Sequence, residues 1–343
     1  MPLYVNDGGT WKEPNEVHVN DGGTWKSSKQ IYVNDSGTWK MVWMFDNGSE
    51  YIWVGQYGRL YKLDRDGNEL WSYVGYSDVV HEAVVDSDDY SYVSLISKGE
   101  VHKVDPDGNH VWTYNASSSY VYTPCVDVFG SVYVGNDNGE VHKISSSGNN
   151  VWIYNGHGVS NNVFTVAVDV NYDVCSGNEN GEVHKIDSDG NHIWTYYGHD
   201  SSTSVLAIAI DVDDYIYSGD GEGELHKIDS NGNNIWTYTE FSYGPIYSVV
   251  IDADYIYSFT TSAREVHKTD YNGNNIWIYT VESGTSIYSG SVDPDGYVYI
   301  GTSNNDVYKV YPDGTNIVWK IGYSSTVFEI AVSPGLYTQF KGW

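Results

Sequence analysis

The chain has 343 residues with 17 Lys+Arg against 46 Asp+Glu, so its net charge is −29; 40% of it is hydrophobic, with 33 Tyr and 13 Trp. That much apolar and aromatic surface excludes wholesale disorder. So acidic a chain, with no run of Lys or Arg, is no general binder of nucleic acid or anionic membrane.

No apolar stretch approaches the roughly 18 residues that cross a bilayer as a helix, so no membrane insertion is expected. The opening Met1-Pro2-Leu3-Tyr4-Val5-Asn6-Asp7 has neither the basic start nor the apolar centre of a secretory signal. The expectation is a route other than general secretion, or a signal already removed.

Residues 1–40 form a first unit. Tyr4 to Lys12, His18 to Lys26 and Tyr32 to Lys40 repeat the phrase Val-Asn-Asp-Gly/Ser-Gly-Thr-Trp-Lys with a period of 14. Asn-Asp-Gly between short β-rich flanks is a tight-turn signal, because the turn needs residues that accept φ > 0. Three small hairpins are predicted. An isolated hairpin is marginal in water, so they are expected to anchor on the rest of the chain, on each other or on a partner.

Residues 41–343 carry a second, longer repeat. A phrase that opens on a turn residue and ends in Trp recurs seven times, from Gly58–Trp71 to Asn305–Trp319. Its lysines, Lys62, Lys103, Lys143, Lys185, Lys227, Lys268 and Lys309, are spaced by 41, 40, 42, 42, 41 and 41 residues. Each period reads as four short strands. In one copy these are an apolar run at 205–210, then 215–218, 224–229 and 234–238, separated by Asp/Gly/Asn turns. Four strands per period of about 41 residues is the mark of a propeller blade. The fold class predicted is therefore all-β, a seven-bladed β-propeller with the hairpin segment ahead of it. Thr326–Val332 matches the inner-strand pattern and is expected to complete the first blade. The segment Met41–Phe45 competes for that place, which makes eight blades the alternative.

The repeated indoles, Trp71, Trp112, Trp152, Trp194, Trp236, Trp277 and Trp319, are expected to wedge neighbouring blades together. The repeat lysines are seven of only 14 in the chain, and a ring of Lys–Asp pairs is expected from them. His102, His142, His184, His226 and His267 precede five of them. Equivalent positions on a ring lie too far apart to share an ion, so these read as packing histidines and no metal site is expected. Turns such as Asp64–Asn68 and Asp187–Asn191 lack the twelfth-position acid of a calcium loop and read as plain turns. Cys125 and Cys175 read as small buried strand residues.

The loops that differ most between copies supply Tyr76, Tyr120, His157, Asn161, His199, Phe241, Tyr243 and Tyr323. Variable loops on a rigid scaffold are where binding resides. Their Tyr, Asn and His content suits a flat polar ligand such as a glycan, so these eight are the candidate ligand-binding residues. No phosphate loop, HExxH or nucleophile elbow is present, and no catalytic residue is nominated.

The phrase Lys185-Ile-Asp-Ser-Asp-Gly-Asn-His-Ile-Trp194, repeated around a ring, resembles the tryptophan-docking repeat of the quinoprotein (PQQ-type) propeller superfamily, over roughly residues 41–340. The resemblance implies the fold. It does not carry over dehydrogenase activity or the quinone cofactor, because those enzymes use a disulfide between adjacent cysteines and the Asp-to-Gly spacing here is one residue shorter. No cofactor is expected. The 14-residue hairpins look like short repeats near the ends of tailed-virus virion proteins, which implies a non-enzymatic tail, fibre or capsid-surface component. On that reading residues 4–40 contact other virion proteins, the propeller recognises a host glycan or surface protein, and the chain is open to homo-oligomerisation. A cellular scaffold resembling the bacterial outer-membrane assembly lipoprotein and a quinoprotein-like enzyme are the alternatives.

Overall fold

The structure is a computed structural model. It describes six short strands between residues 5 and 44, and residues 51–332 except 65, 118, 294, 316, 324 and 325; of the side chains, those before 51 and those of 75–79, 81, 96, 318 and 319 lie outside the description.

The architecture is all-β. Seven four-stranded antiparallel sheets follow one another along the chain, and the innermost strand of each lies beside that of the next until the last meets the first. The third to seventh blades are regular meanders. The third runs Val121–Val126, Val132–Asn136, Val141–Ile144 and Asn150–Tyr154. The first two blades share long strands. Tyr51–Asp64 pairs with Glu329–Val332 through its first half and with Glu69–Val85 through its second, with Gly58 at φ 73° between the halves. The far half of Glu69–Val85 is the inner strand of the second blade, paired with Ser91–Leu95.

The C-terminal strand therefore closes the first blade, as the sequence predicts: Ile330 pairs with Val54 and Val332 with Ile52. Thr38–Met44, which holds most of the competing segment, pairs with Gln30–Asp35 as the third of the predicted hairpins, so the ring has seven blades. The first two hairpins, Val5–Asp7 with Thr10–Lys12 and His18–Asp21 with Thr24–Ser27, are also formed.

A blade has two apolar faces and only a neighbour can cover each, which is why the core is divided. Among the described residues seven buried clusters occur, one between each adjacent pair of blades. Between the third and fourth blades it contains Cys125, Tyr133, Val166 and Ile186; between the seventh and first, Tyr299, Val307, Ile52 and Val54. Both cysteines are free and buried there as small apolar residues. The repeat indoles cross the same boundaries. The six described donate the Nε1 proton to a turn carbonyl of the next blade, among them Trp71 to Pro106 (2.8 Å), Trp112 to Ser146 (3.0 Å), Trp194 to Ser230 (2.9 Å) and Trp277 to Pro312 (3.0 Å). Trp319 occupies the same register opposite Lys309, but its side chain is outside the described set.

Candidate functional site

The repeat residues with chemical potential are spent mostly on holding blades together. After the inner strand an aspartate closes the turn and anchors a tyrosine. Asp211 Oδ1 accepts the amides of Asp213 and Tyr215 (3.0 and 2.9 Å), while its Oδ2 accepts the Tyr217 hydroxyl at 2.8 Å. Asp86–Tyr92, Asp127–Tyr133, Asp252–Tyr257 and Asp293–Tyr299 repeat the last contact at 2.8, 3.0, 2.8 and 3.0 Å. In the fourth blade Cys175 stands where the tyrosine would be, and Asp169 faces Lys185 Nζ at 3.1 Å instead. Burial pushes the Asp169 carboxyl up to about 6 even though that lysine pulls it down. The Asp-Gly turns are plain turns: Asp187 accepts the amides of Asp189 and Asn191 and the Asn191 side-chain amide.

The expected ring of Lys–Asp pairs is only partly formed. Lys62 pairs with Asp89 (3.4 Å), Lys185 with Asp169 and Asp214, and Lys309 with Asp293 (3.5 Å). Lys103, Lys143, Lys227 and Lys268 have no ion pair within 4.0 Å among the described residues and lie over the rings of Tyr90 (4.2 Å), Tyr133 (5.2 Å), Tyr215 (4.1 Å) and Tyr255 (3.9 Å). A tyrosine-rich interface offers the ammonium a π face without requiring a carboxylate to be stripped of water.

Four of the five repeat histidines bond across a blade boundary. His142, His184, His226 and His267 face the hydroxyls of Tyr114, Tyr154, Tyr196 and Tyr238 through Nδ1 at 2.9, 2.8, 2.7 and 2.8 Å. Their Nε2 atoms face Glu140, Glu182, Glu224 and Glu265 at 3.1, 3.4, 3.2 and 3.1 Å. Burial holds these imidazoles below their usual range, His184 down to about 4.

The eight candidate ligand residues are not brought together as one surface. Tyr120 and Tyr243 are exposed, at 45% and 60%, as a binding face requires. Four others turn inward. The rings of His157 and His199 stack on His184 and His226, both at 3.9 Å between centroids; Phe241 lies 4.2 Å from His267, and Tyr323 lies 5.6 Å from Tyr61, which stands where the first blade would have its histidine. Three of these loop residues are lids over repeat imidazoles and Tyr323 covers the Tyr61 phenol, a contact that recurs in four blades although the loops supplying it differ in sequence. Asn161 is partly buried and donates to the His157 carbonyl at 2.6 Å. Tyr76 lies in a strand, with its side chain outside the described set.

Two inward clusters mimic catalytic or metal sites. Ser218 Oγ, His199 and Asp220 form a chain, with Oγ 2.8 Å from Nε2 and Nδ1 3.0 Å from Oδ2. Ser218 is fully buried, so no acyl group reaches its oxygen. The fourth blade repeats the chain as Ser176–His157–Asn178, with an amide in place of the acid. His157, Glu182 and His184 converge to within 4.8 Å. The Asn178 amide already fills that convergence, 2.7 Å from Glu182 and 3.1 Å from His157, and face-to-face imidazoles point their lone pairs side by side rather than at one ion.

Two of the openings among the described residues bear on function. On the loop face, a recess of about 340 Å³ between the fourth and fifth blades is lined by Asn180, Gly181, Glu182, Tyr197, His199 and Ser201. Tyr197 is 73% exposed beside it, and the sequence reading passed it over because it follows directly on the repeat.

The second is the axial channel. With the inner strands aligned in repeat register, one position reads Phe328, His81, Tyr122, Phe164, Leu206, Tyr247 and Tyr288 from the first blade to the seventh; the next reads Glu329, Glu82, Thr123, Thr165, Ala207, Ser248 and Ser289. The second set lines a cavity of about 90 Å³. Glu329 accepts the Ser289 hydroxyl at 2.9 Å, and Glu82 is hydrogen-bonded to Thr123. Both line the cavity and are partly buried. Burial pushes Glu82 up to about 8 and Glu329 well above the carboxylate range, with the neighbouring Glu82 charge adding to the second. Reading these strands as continuously apolar concealed the pair; the signal was the polar residue recurring in mid-run.

The family model described as outer membrane protein assembly factor BamB matches residues 20–174 and 97–321, and the chain belongs to that family of PQQ-like repeat propellers. No curated protein matches it. Among solved structures it is similar to the computationally designed Ika8 protein, at 15% identity over 83% of this chain and 87% of that one, with a TM-score of 0.66. A chain of the mitotic checkpoint complex is similar at 18% identity over 73% of this chain and 79% of that one, with a TM-score of 0.64. Both likenesses are of fold alone.

Proposed function

We propose that this propeller is a non-enzymatic recognition protein, carried on an extracellular particle such as a virion as a tail, fibre or capsid-surface component. Residues 4–40 anchor it to other particle proteins, and its loop face binds a host glycan or surface protein. The observation that carries the reading is the 340 Å³ recess, where the exposed Tyr197 ring borders the carboxylate, amide and hydroxyl of Glu182, Asn180 and Ser201. A ring to stack on and several polar groups at its edge suit a sugar. Tyr120 and Tyr243 are further exposed loop tyrosines. A glycan array compared between wild type and Tyr197→Ala, Tyr120→Ala and Tyr243→Ala tests it. Loss of the bound glycan in Tyr197→Ala is expected, and an unchanged profile in all three variants overturns it.

The family name favours a second reading, a cellular scaffold for protein–protein assembly at an outer membrane. On that reading the loop face captures envelope proteins and no glycan.

A further inference from the structure

We propose that the axial channel is a binding site for an aliphatic primary ammonium group, gripped by Glu82 and Glu329 and covered by aromatic rings. The site is separate from the glycan recess and goes beyond the recognition reading above.

Two carboxyl groups on adjacent inner strands line one cavity, and no lysine, arginine or histidine is among the described residues lining it. Like charges so placed require a proton or a cation between them. The Ser289 hydroxyl and the Ile330 amide do not exhaust the acceptor capacity of the Glu329 carboxylate.

Tyr247, Tyr288 and Leu206 line the cavity beside the pair, and Phe328 packs on Tyr288 at 5.6 Å. A π surface next to carboxylates suits an organic cation, whereas calcium or magnesium would demand six or more oxygens around one point and zinc prefers nitrogen and sulfur ligands that the described wall lacks. The cavity of about 90 Å³ holds an ammonium and a short methylene stem, since water itself takes roughly 30 Å³. The charge of −29 raises the local concentration of any such cation. At neutral pH burial favours the protonated form of both carboxyls, so a bound ammonium displaces a proton from the pair.

The test is titration calorimetry of the full chain at pH 7 with cadaverine and with Nα-acetyl-lysine amide, in two buffers of different ionisation heat. Binding of at least one probe is expected, releasing about one proton, and weakened at least about tenfold in Glu329→Gln and in Tyr288→Leu. A preference for cadaverine assigns the site to free diamines; equal or better binding of the lysine amide assigns it to a partner's side chain. Circular dichroism checks that the variants are folded, and Glu82→Gln replaces either one that is not. No heat with either probe, wild-type affinity in the folded variants, or displacement of the amine by equimolar calcium chloride overturns the proposal.

Discussion

Lys143 and Trp152, paired across the third and outer strands of the third blade, donate to the same acceptor: the Ser188 carbonyl in the fourth blade, at 3.3 and 3.0 Å. Lys227 and Trp236 share the Tyr271 carbonyl in the same way, and Lys268 and Trp277 share that of Pro312. In these three blades the strand register thus delivers two donors to one turn of the next blade, while Lys62, Lys185 and Lys309 spend the same position on aspartates.

Removing both donors leaves a carbonyl stripped of partners, so the two losses do not add. Trp152→Ala is expected to cost about 2–3 kcal/mol for a half-covered indole, and Lys143→Met about 0.5–1.5 kcal/mol. A coupling of at least about 0.5 kcal/mol is expected from the double-mutant cycle in urea. Strict additivity would show that the shared acceptor has no energetic meaning.

The turn that receives the indole is equally constrained. Gly190 has φ 91°, and a Cβ there would sit 3.0 Å from Trp152 Cδ2. Gly190→Ala is expected to lose about 1–3 kcal/mol through strain and displacement of the indole. Trp152 fluorescence itself is obscured by 12 other indoles, so the readout is the unfolding midpoint.

Acid should weaken the blade contacts. Burial lowers His142, His157, His184, His226 and His267, so below an unfolded value near 6.5 the unfolded chain binds more protons than the folded one. These five groups therefore withdraw stability as pH falls from 6.5 towards 4. His184→Gln, which keeps a neutral polar side chain, is expected to shallow that acid slope in urea titrations at stepped pH; an unaltered slope contradicts it.

The channel pair acts in the opposite sense. Glu82 and Glu329 hold protons in the fold that the unfolded chain has released, so their contribution is present below about 4.5 and lost as pH rises through about 8. Between pH 6.5 and 8.5 the wild type should lose stability, and the Glu82→Gln/Glu329→Gln double variant should lose less. Parallel curves would contradict the raised, burial-driven titration of the pair.

The ring was legible in the sequence because a 41-residue period, one indole per period and a C-terminal strand matching the first blade all report backbone topology, which local pattern encodes. The sites were less legible. His157, His199, Phe241 and Tyr323 lie in the loops that differ most between copies, and only packing shows that each covers its neighbour's imidazole or, for Tyr323, its phenol. Likewise Glu82 and Glu329 are separated by most of the chain, and only ring closure places them side by side.

The recognition account is tested most directly by mass spectrometry of purified extracellular particles against the cell-envelope fraction of the same culture. Intact chain recovered in the particles, retained there by wild type and shed when residues 1–40 are deleted, is the expected result. Recovery only with the envelope fraction, or particle retention indifferent to that deletion, would contradict it.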